Sequence, residues 1–203
     1  MPIGSPVAAV EALRAGLPVV IPTDTLYGLA VSPLHAPNPG RLYEIKGRPS
    51  DKPVAWLIGS PDDLDTYGAD VPASARRLAG AFWPGALTLI VKASSEVPLA
   101  YRSAAGTIGL RMPDDELALS IIREVGCPLA TTSANRSGQP DPHRFEDLDP
   151  LVLSQVAVAI DDDQRKGGVG STVIDCTGPQ IRILREGPLT QADIDGALAH
   201  IMP

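Results

Sequence analysis

The 203-residue chain carries 24 acidic and 17 basic side chains, a net charge of −7 and a pI near 4.9, which argues against a non-specific binder of nucleic acid or anionic membrane. Hydrophobic residues make up 44% and charged residues 20%, ordinary for a soluble globular chain with room for a sizeable core. Cys127 and Cys176 form no CxxC motif, the three histidines (His35, His143, His200) show no metal-ligand spacing, and there is no signal peptide or membrane-length apolar run, so a reduced cytoplasmic protein is expected.

Ser5-Pro6 predicts a helix start, with Val7, Val10 and Leu13 on one face and Gly16 as its stop. Leu17 to Ile21 reads as a short buried strand, running into the polar stretch Thr23-Asp24-Thr25. Small oxygen-bearing side chains at a strand end suit ligand contacts, and they equally suit an Asx or Ser/Thr turn. A short helix over 38–46 delivers the loop Lys46-Gly47-Arg48-Pro49-Ser50-Asp51-Lys52-Pro53. Glycine and proline forbid helix or strand there, so its cations ride on a loop fixed by the apolar strand that follows, Val54 to Ile58. Arg presents a planar fork of donors and Lys a mobile point charge, a combination suited to polyphosphate. The other reading is a solvated charged loop.

Ser60-Pro61 and Pro72 open two further helices, the second ending before Trp83-Pro84-Gly85. A strand spans Ala86 to Lys92. In Thr107-Ile108-Gly109-Leu110-Arg111-Met112 side chains alternate faces, so Thr107, Gly109 and Arg111 share one face, either the floor of a polar groove or a half-exposed surface. A helix to Val125 and a strand at Pro128–Thr131 lead to a loop dense in hydroxyls and amides, Thr132 to Pro140. Residues 138–150 read as a surface excursion. A strand at Val156–Ile160 closes in Asp161-Asp162-Asp163, more consistent with a solvated turn than with a metal site. Gly167-Gly168-Val169-Gly170-Ser171-Thr172 precedes a strand rather than a helix and lacks the Lys-Ser/Thr of a P-loop. Strands at 173–176 and 181–184 and a helix from Thr190 complete the chain. Intermixed strands and helices indicate a single α/β (α+β) domain, a sheet covered by helices. If its strand ends gather on one side, Thr25, Arg48, Lys52, Arg111, Ser133, Asn135, Ser171 and Arg185 line one groove.

Seven blocks, PTDTLYGL, KGRPSDKP, WPGALTLI, TIGLRMP, TTSANRSGQP, GSTVID and ILREG, follow one another in an order that resembles the YrdC/TsaC family of threonylcarbamoyl-AMP synthases. The resemblance implies a YrdC-like fold, a twisted mixed sheet with a central electropositive cavity. It also implies a single domain over 1–203 without the linker and C-terminal extension domain of longer members. The implied activity joins L-threonine, bicarbonate and ATP into threonylcarbamoyl-AMP with release of pyrophosphate. A tRNA-modifying threonylcarbamoyl transferase complex would act downstream, with a weak tRNA contact of the chain itself also open.

By motif match, Thr25, Arg111 and Ser171 correspond to threonine contacts. Arg48, Lys52, Thr107, Ser133, Asn135 and Arg185 correspond to nucleotide contacts, and Lys46 to a supporting cation. Lys46, Arg48 and Lys52 would act electrostatically, without a covalent nucleophile, and Mg²⁺ would ride on the ATP phosphates rather than in a protein cage. Two positions depart from the pattern. Leu57 replaces a histidine of some members, and His143 replaces a smaller hydroxyl residue at a nucleotide position. Two other readings stay open: a paralogue with another carbamoyl-adenylate chemistry, and an RNA-binding module, against which the 4% aromatic content weighs.

Overall fold

The computed structural model describes residues 3–49 and 53–199. In chain order the elements are α1 (Pro6–Arg14), β1 (Val19–Ile21), β2 (Gly28–Val31), α2 (Gly40–Lys46), β3 (Ala55–Leu57), α3 (Asp63–Tyr67), β4 (Gly68–Ala69), α4 (Ala73–Phe82) and β5 (Leu87–Ala93). They continue with β6 (Thr107–Arg111), α5 (Glu116–Val125), β7 (Leu129–Ser133), α6 (Pro150–Leu153), β8 (Val158–Ala159), β9 (Thr172–Asp175), β10 (Arg182–Arg185) and α7 (Gln191–Ala199). The ends follow local chemistry. The Ser5 side chain accepts from the Ala8 amide to cap α1, and Asp115 accepts from Ala118 at 2.9 Å to cap α5. Gly126 stops α5 at φ +84°, a conformation that costs glycine nothing.

The strands form one mixed sheet in the order β10-β9-β5-β6-β3-β7-β2-β1-β8, with β4 paired to β5. Pairs β1–β8, β3–β6 and β5–β9 are parallel and the others antiparallel. Alternation sorts the side chains into two faces. Val20, Leu29, Trp56, Leu89, Leu110 and Ala130 enter one large core with residues of α2, α4, α6 and α7. The opposite face splits. Its Val19, Ile21, Ala30, Leu57 and Leu129 pack under α1 and α5, whereas Gly28, Ala55, Gly109 and Thr131, on the same strands or their neighbour, line a cavity. Two α-helices therefore cover part of this face, and small side chains keep the remainder low.

Two expectations change. The stretch at 138–150 is not wholly a surface excursion, because Phe145 and Leu148 are buried in the main core and Phe145 meets Tyr27 edge-on at 6.1 Å. Nor is Asp161-Asp162-Asp163 simply a solvated turn: Asp162 is a half-buried hydrogen-bonding centre, described below.

Candidate functional site

The cavity holds about 440 Å³, within the range of small-molecule sites. Its floor is the sheet face carrying Ala55, Thr88, Ile90, Thr107, Gly109, Thr131 and Val173. The floor is low by necessity as well as by composition, since a Cβ on Gly28 would meet Thr131 Cγ2 at 2.8 Å and one on Gly109 would meet Thr88 Cγ2 at 3.3 Å. Loops at the strand ends raise the walls. Together with the ends of α2, β6 and β10 they bring Lys46, Arg48, Arg111 and Arg185 to the same cavity, against one carboxylate, Asp141, among the described lining residues.

Arg111 closes β6 and is buried. Its Nε donates to the Gly85 carbonyl at 3.0 Å, Nη1 to Thr25 Oγ1 at 2.7 Å, and Nη2 to Asp24 Oδ1 at 2.5 Å. Burial pulls its pKa below the ordinary guanidinium value, and Asp24 opposes that pull. Thr25 is buried, with its hydroxyl also 3.2 Å from that of Thr23. Across the cavity floor Ser171 Oγ lies 2.7 Å from Thr88 Oγ1, and the Ser171 carbonyl accepts from Arg185 Nε and Nη2 at 3.0 and 2.8 Å.

Lys46 ends α2 with its ammonium buried. It donates to the carbonyls of Ser133 and Asn135 at 2.5 and 2.6 Å and to Asn135 Oδ1 at 2.8 Å. Burial, reinforced by Arg48, pulls its pKa down to about 8. Arg48 sits 5.0 Å over the Tyr43 ring, and its terminal nitrogens reach Thr132 Oγ1 and the Pro53 carbonyl, both at 3.3 Å. The Thr107 hydroxyl lies 2.7 Å from that of Ser103.

Of the residues read from the sequence, Thr25, Lys46, Arg48, Thr107, Arg111, Ser133, Ser171 and Arg185 line the cavity. Lys52 lies outside the described residues. Asn135 and His143 do not line it. Asn135 turns inward, its Oδ1 accepting from Lys46 and from Ser133 and its Nδ2 donating to the Gln139 carbonyl, so it braces the loop that carries Ser133. His143 packs on Gly168, where a Cβ would lie 2.1 Å from its Nδ1, and its carbonyl accepts from the Lys166 amide at 2.8 Å. Leu57 adds an apolar patch to the wall. The sequence reading missed Thr88, although alternation along Leu87-Thr88-Leu89-Ile90 places it on the cavity face. It also missed Asp141, which stands in a polar loop with no periodicity to mark it.

The sequence profile of the Sua5/YciO/YrdC family, described as "Telomere recombination", matches residues 11–187. The chain belongs to the Sua5/YciO/YrdC family. A Mycobacterium tuberculosis relative is 40% identical over 91% of this chain and 84% of its own length. The threonylcarbamoyl-AMP synthase of Bacillus subtilis is 37% identical over 95% of this chain and 56% of its own. The structure of Pyrococcus abyssi Sua5 complexed with L-threonine superposes with a TM-score of 0.87 and 35% identity, over 94% of this chain and 56% of that one. The chain thus spans most of one Sua5/YciO/YrdC relative and little more than half of the other two. Within the family frame the mixed sheet with helices on both faces is the α/β fold anticipated from the sequence.

Proposed function

We propose that this chain makes threonylcarbamoyl-AMP from L-threonine, bicarbonate and ATP, releasing pyrophosphate, in the cytoplasm. The product supplies a threonylcarbamoyl transferase complex that modifies tRNA, and a weak tRNA contact of the chain itself accompanies that hand-over. The observation that carries this reading is the placing of Arg111: a buried guanidinium on the wall of a cavity that also bears Lys46, Arg48 and Arg185. The likeness to proteins named for the synthase supports it.

In this reading Arg111 takes the threonine carboxylate. Three of its five N–H groups already bind Gly85, Asp24 and Thr25, which aims the remaining donors of the two terminal nitrogens. Thr25 and Ser171 supply hydroxyls to the same ligand. Arg48, Lys46 and Arg185 face the nucleotide with Thr107 and Ser133, Lys52 keeps the nucleotide role that the resemblance implies, and Asn135 and His143 act through the loops they brace. The threonine amine and bicarbonate give an N-carboxy-threonine with loss of water. One carbamate oxygen attacks the α-phosphorus, and the bond to pyrophosphate breaks. The nucleophile is already anionic, so the protein's task is to hold several anions together and offset their repulsion. Mg²⁺ enters with ATP as part of the substrate, Asp141 being the one carboxylate on the described lining.

The test is pyrophosphate release together with the mass of the adduct, each substrate being left out in turn and serine offered in place of threonine. Release that requires both threonine and bicarbonate is expected. ATP turnover indifferent to either would overturn the assignment.

Lys46 gives a second expected result. With a pKa near 8 it loses its charge as pH rises through that value, so nucleotide affinity falls there. Stability moves the other way. Between about 8 and its ordinary value of 10.5 the unfolded chain binds the proton that the folded one has released, so this group makes the fold more stable as pH rises. ATP titrations and thermal melts from pH 7 to 9.5 separate the two, and Lys46→Arg, which stays charged, should abolish the affinity limb. A limb unchanged in Lys46→Arg would assign it to another group.

A further inference from the structure

The segment from Asp161 to Ser171 links β8 to β9 without helix or strand. In its middle stands Lys166, with a side chain 3% exposed. Its ammonium is bonded to the Asp162 carboxylate, lies 3.8 Å from Asp115 Oδ2 at the start of α5, and sits 5.4 Å over the Tyr27 ring. The Tyr27 hydroxyl donates to Asp162 Oδ1 at 2.8 Å. Burial raises the Asp162 pKa, but hydrogen bonds from Lys166 and Tyr27 outweigh it and hold the carboxyl below its ordinary value. The next two residues then touch the cavity wall directly. Gly167 N–H donates to the Asp24 carbonyl at 3.3 Å, and Gly168 N–H to the Thr25 carbonyl at 2.9 Å. Asp24 and Thr25 are the residues whose side chains hold Arg111.

We propose that Lys166 is a positioning residue for the amino-acid end of the cavity, clamping the 161–171 strap between Asp162 and Asp115 so that the Gly167 and Gly168 amides fix Asp24 and Thr25 and, through them, Arg111. The inference rests on the reading of Arg111 as the threonine-binding residue. A buried cation with two carboxylate partners is costly to assemble, and its stability is seldom better than that of an apolar replacement. Here the pair occurs where an irregular strap must be held in one conformation. Among the described residues the Lys166 ammonium bonds only to Asp162 and Asp115, and not to α2, the loop after it or the end of β7; its backbone amide, which donates to the His143 carbonyl at 2.8 Å, is kept when the side chain is replaced. The clamp therefore predicts a selective effect.

Lys166→Met is the first variant, and Asp162→Asn with Lys166→Met is the second, which removes the most closely paired carboxylate and guards against misfolding. In both, thermal melts and circular dichroism report folding. Steady-state kinetics should show a threonine KM raised about tenfold or more, with the ATP KM within about twofold of wild type. Hydrogen exchange of the ligand-free proteins should quicken over residues 22–28 and 164–171 and stay unchanged over β5 and β6. Folded variants with unchanged exchange at 22–28, or with threonine and ATP KM raised alike, would overturn the proposal. Recovery of the threonine KM in the double variant would overturn it too, because unpaired charge rather than lost anchoring would then be responsible. If wild type shows no threonine-dependent chemistry, the functional reading fails, while exchange at 22–28 still decides whether Lys166 anchors the strap.

Discussion

Replacing Arg111 by Ala is expected to weaken threonine binding by tenfold to more than a hundredfold. A bidentate charge-assisted pair with a carboxylate contributes roughly 1.5–3 kcal/mol, and two of the described cavity cations are held elsewhere. Lys46 is committed to the Ser133 and Asn135 oxygens, and Arg185 to the Ser171 carbonyl. The variant also leaves Asp24 without its partner. Breaking a buried ion pair costs about 3–5 kcal/mol, but the Asp24 side chain is 19% exposed, so water recovers part of that and the loss falls toward the lower end. Affinity must therefore be measured well below the melting transition. Arg111→Lys separates the two effects. It keeps the charge beside Asp24 and most of the stability, yet cannot bind Gly85, Thr25 and Asp24 at once and still present a fork to the ligand. A Lys variant as stable as wild type with threonine affinity down tenfold or more is the expected outcome. A folded Arg111→Ala protein that binds threonine normally would remove Arg111 from the site. ATP affinity measured without threonine should change by less than threonine affinity, because Lys46 is held by Ser133 and Asn135, and Arg48 reaches Thr132 and Pro53.

The part of the site legible in the sequence is the part written in short-range patterns. Alternation in 107–112 puts Thr107, Gly109 and Arg111 on one face, and the strand does so in the fold. Glycine and proline mark the loops at 22–28 and 46–53, and loops at strand ends are where walls form. Asn135 lies off the cavity lining for a physical reason: its amide suits a ligand contact, and in the fold its oxygen accepts from the buried ammonium of α2. Lys166 was invisible for another. Its spacing to Asp162 is that of a helix surface pair, which normally signals solvated charges, while the chain here is irregular and the second carboxylate comes from Asp115, some fifty residues earlier. The strand order was equally hidden. β5 lies between β6 and β9, a pairing fixed by which apolar faces meet in the core and not by any local signal. Local rules thus locate the chemistry, and non-local packing decides which polar groups are left to perform it.

The second large effect concerns the core beneath that chemistry. Trp56 sits in β3 with its neighbours Ala55 and Leu57 turned to the cavity and its own indole turned to the main core, 2% exposed. It meets Tyr67 edge-on at 5.3 Å and Tyr101 at 5.7 Å. Trp56→Ala removes a fully buried indole and both aromatic contacts, so a loss of about 3–5 kcal/mol is expected. For a chain of this size that lowers the melting temperature by roughly 6–20 °C. The indole N–H finds no hydrogen-bond partner among the described residues. A buried unsatisfied donor costs about 1–3 kcal/mol, which Trp56→Phe would relieve while leaving a smaller void. The two terms oppose each other, and the net change for Trp56→Phe should stay within about 1.5 kcal/mol, with threonine and ATP affinities unaltered. Equal destabilisation by Ala and Phe would mean that the indole N–H has an acceptor after all, and that polarity at this position, not aromatic volume, holds β3 between β6 and β7. A small loss from Ala alone would mean that the core around Tyr67 and Tyr101 collapses onto the space, and the cavity floor at Ala55 should then shift with it and carry the loss into substrate binding.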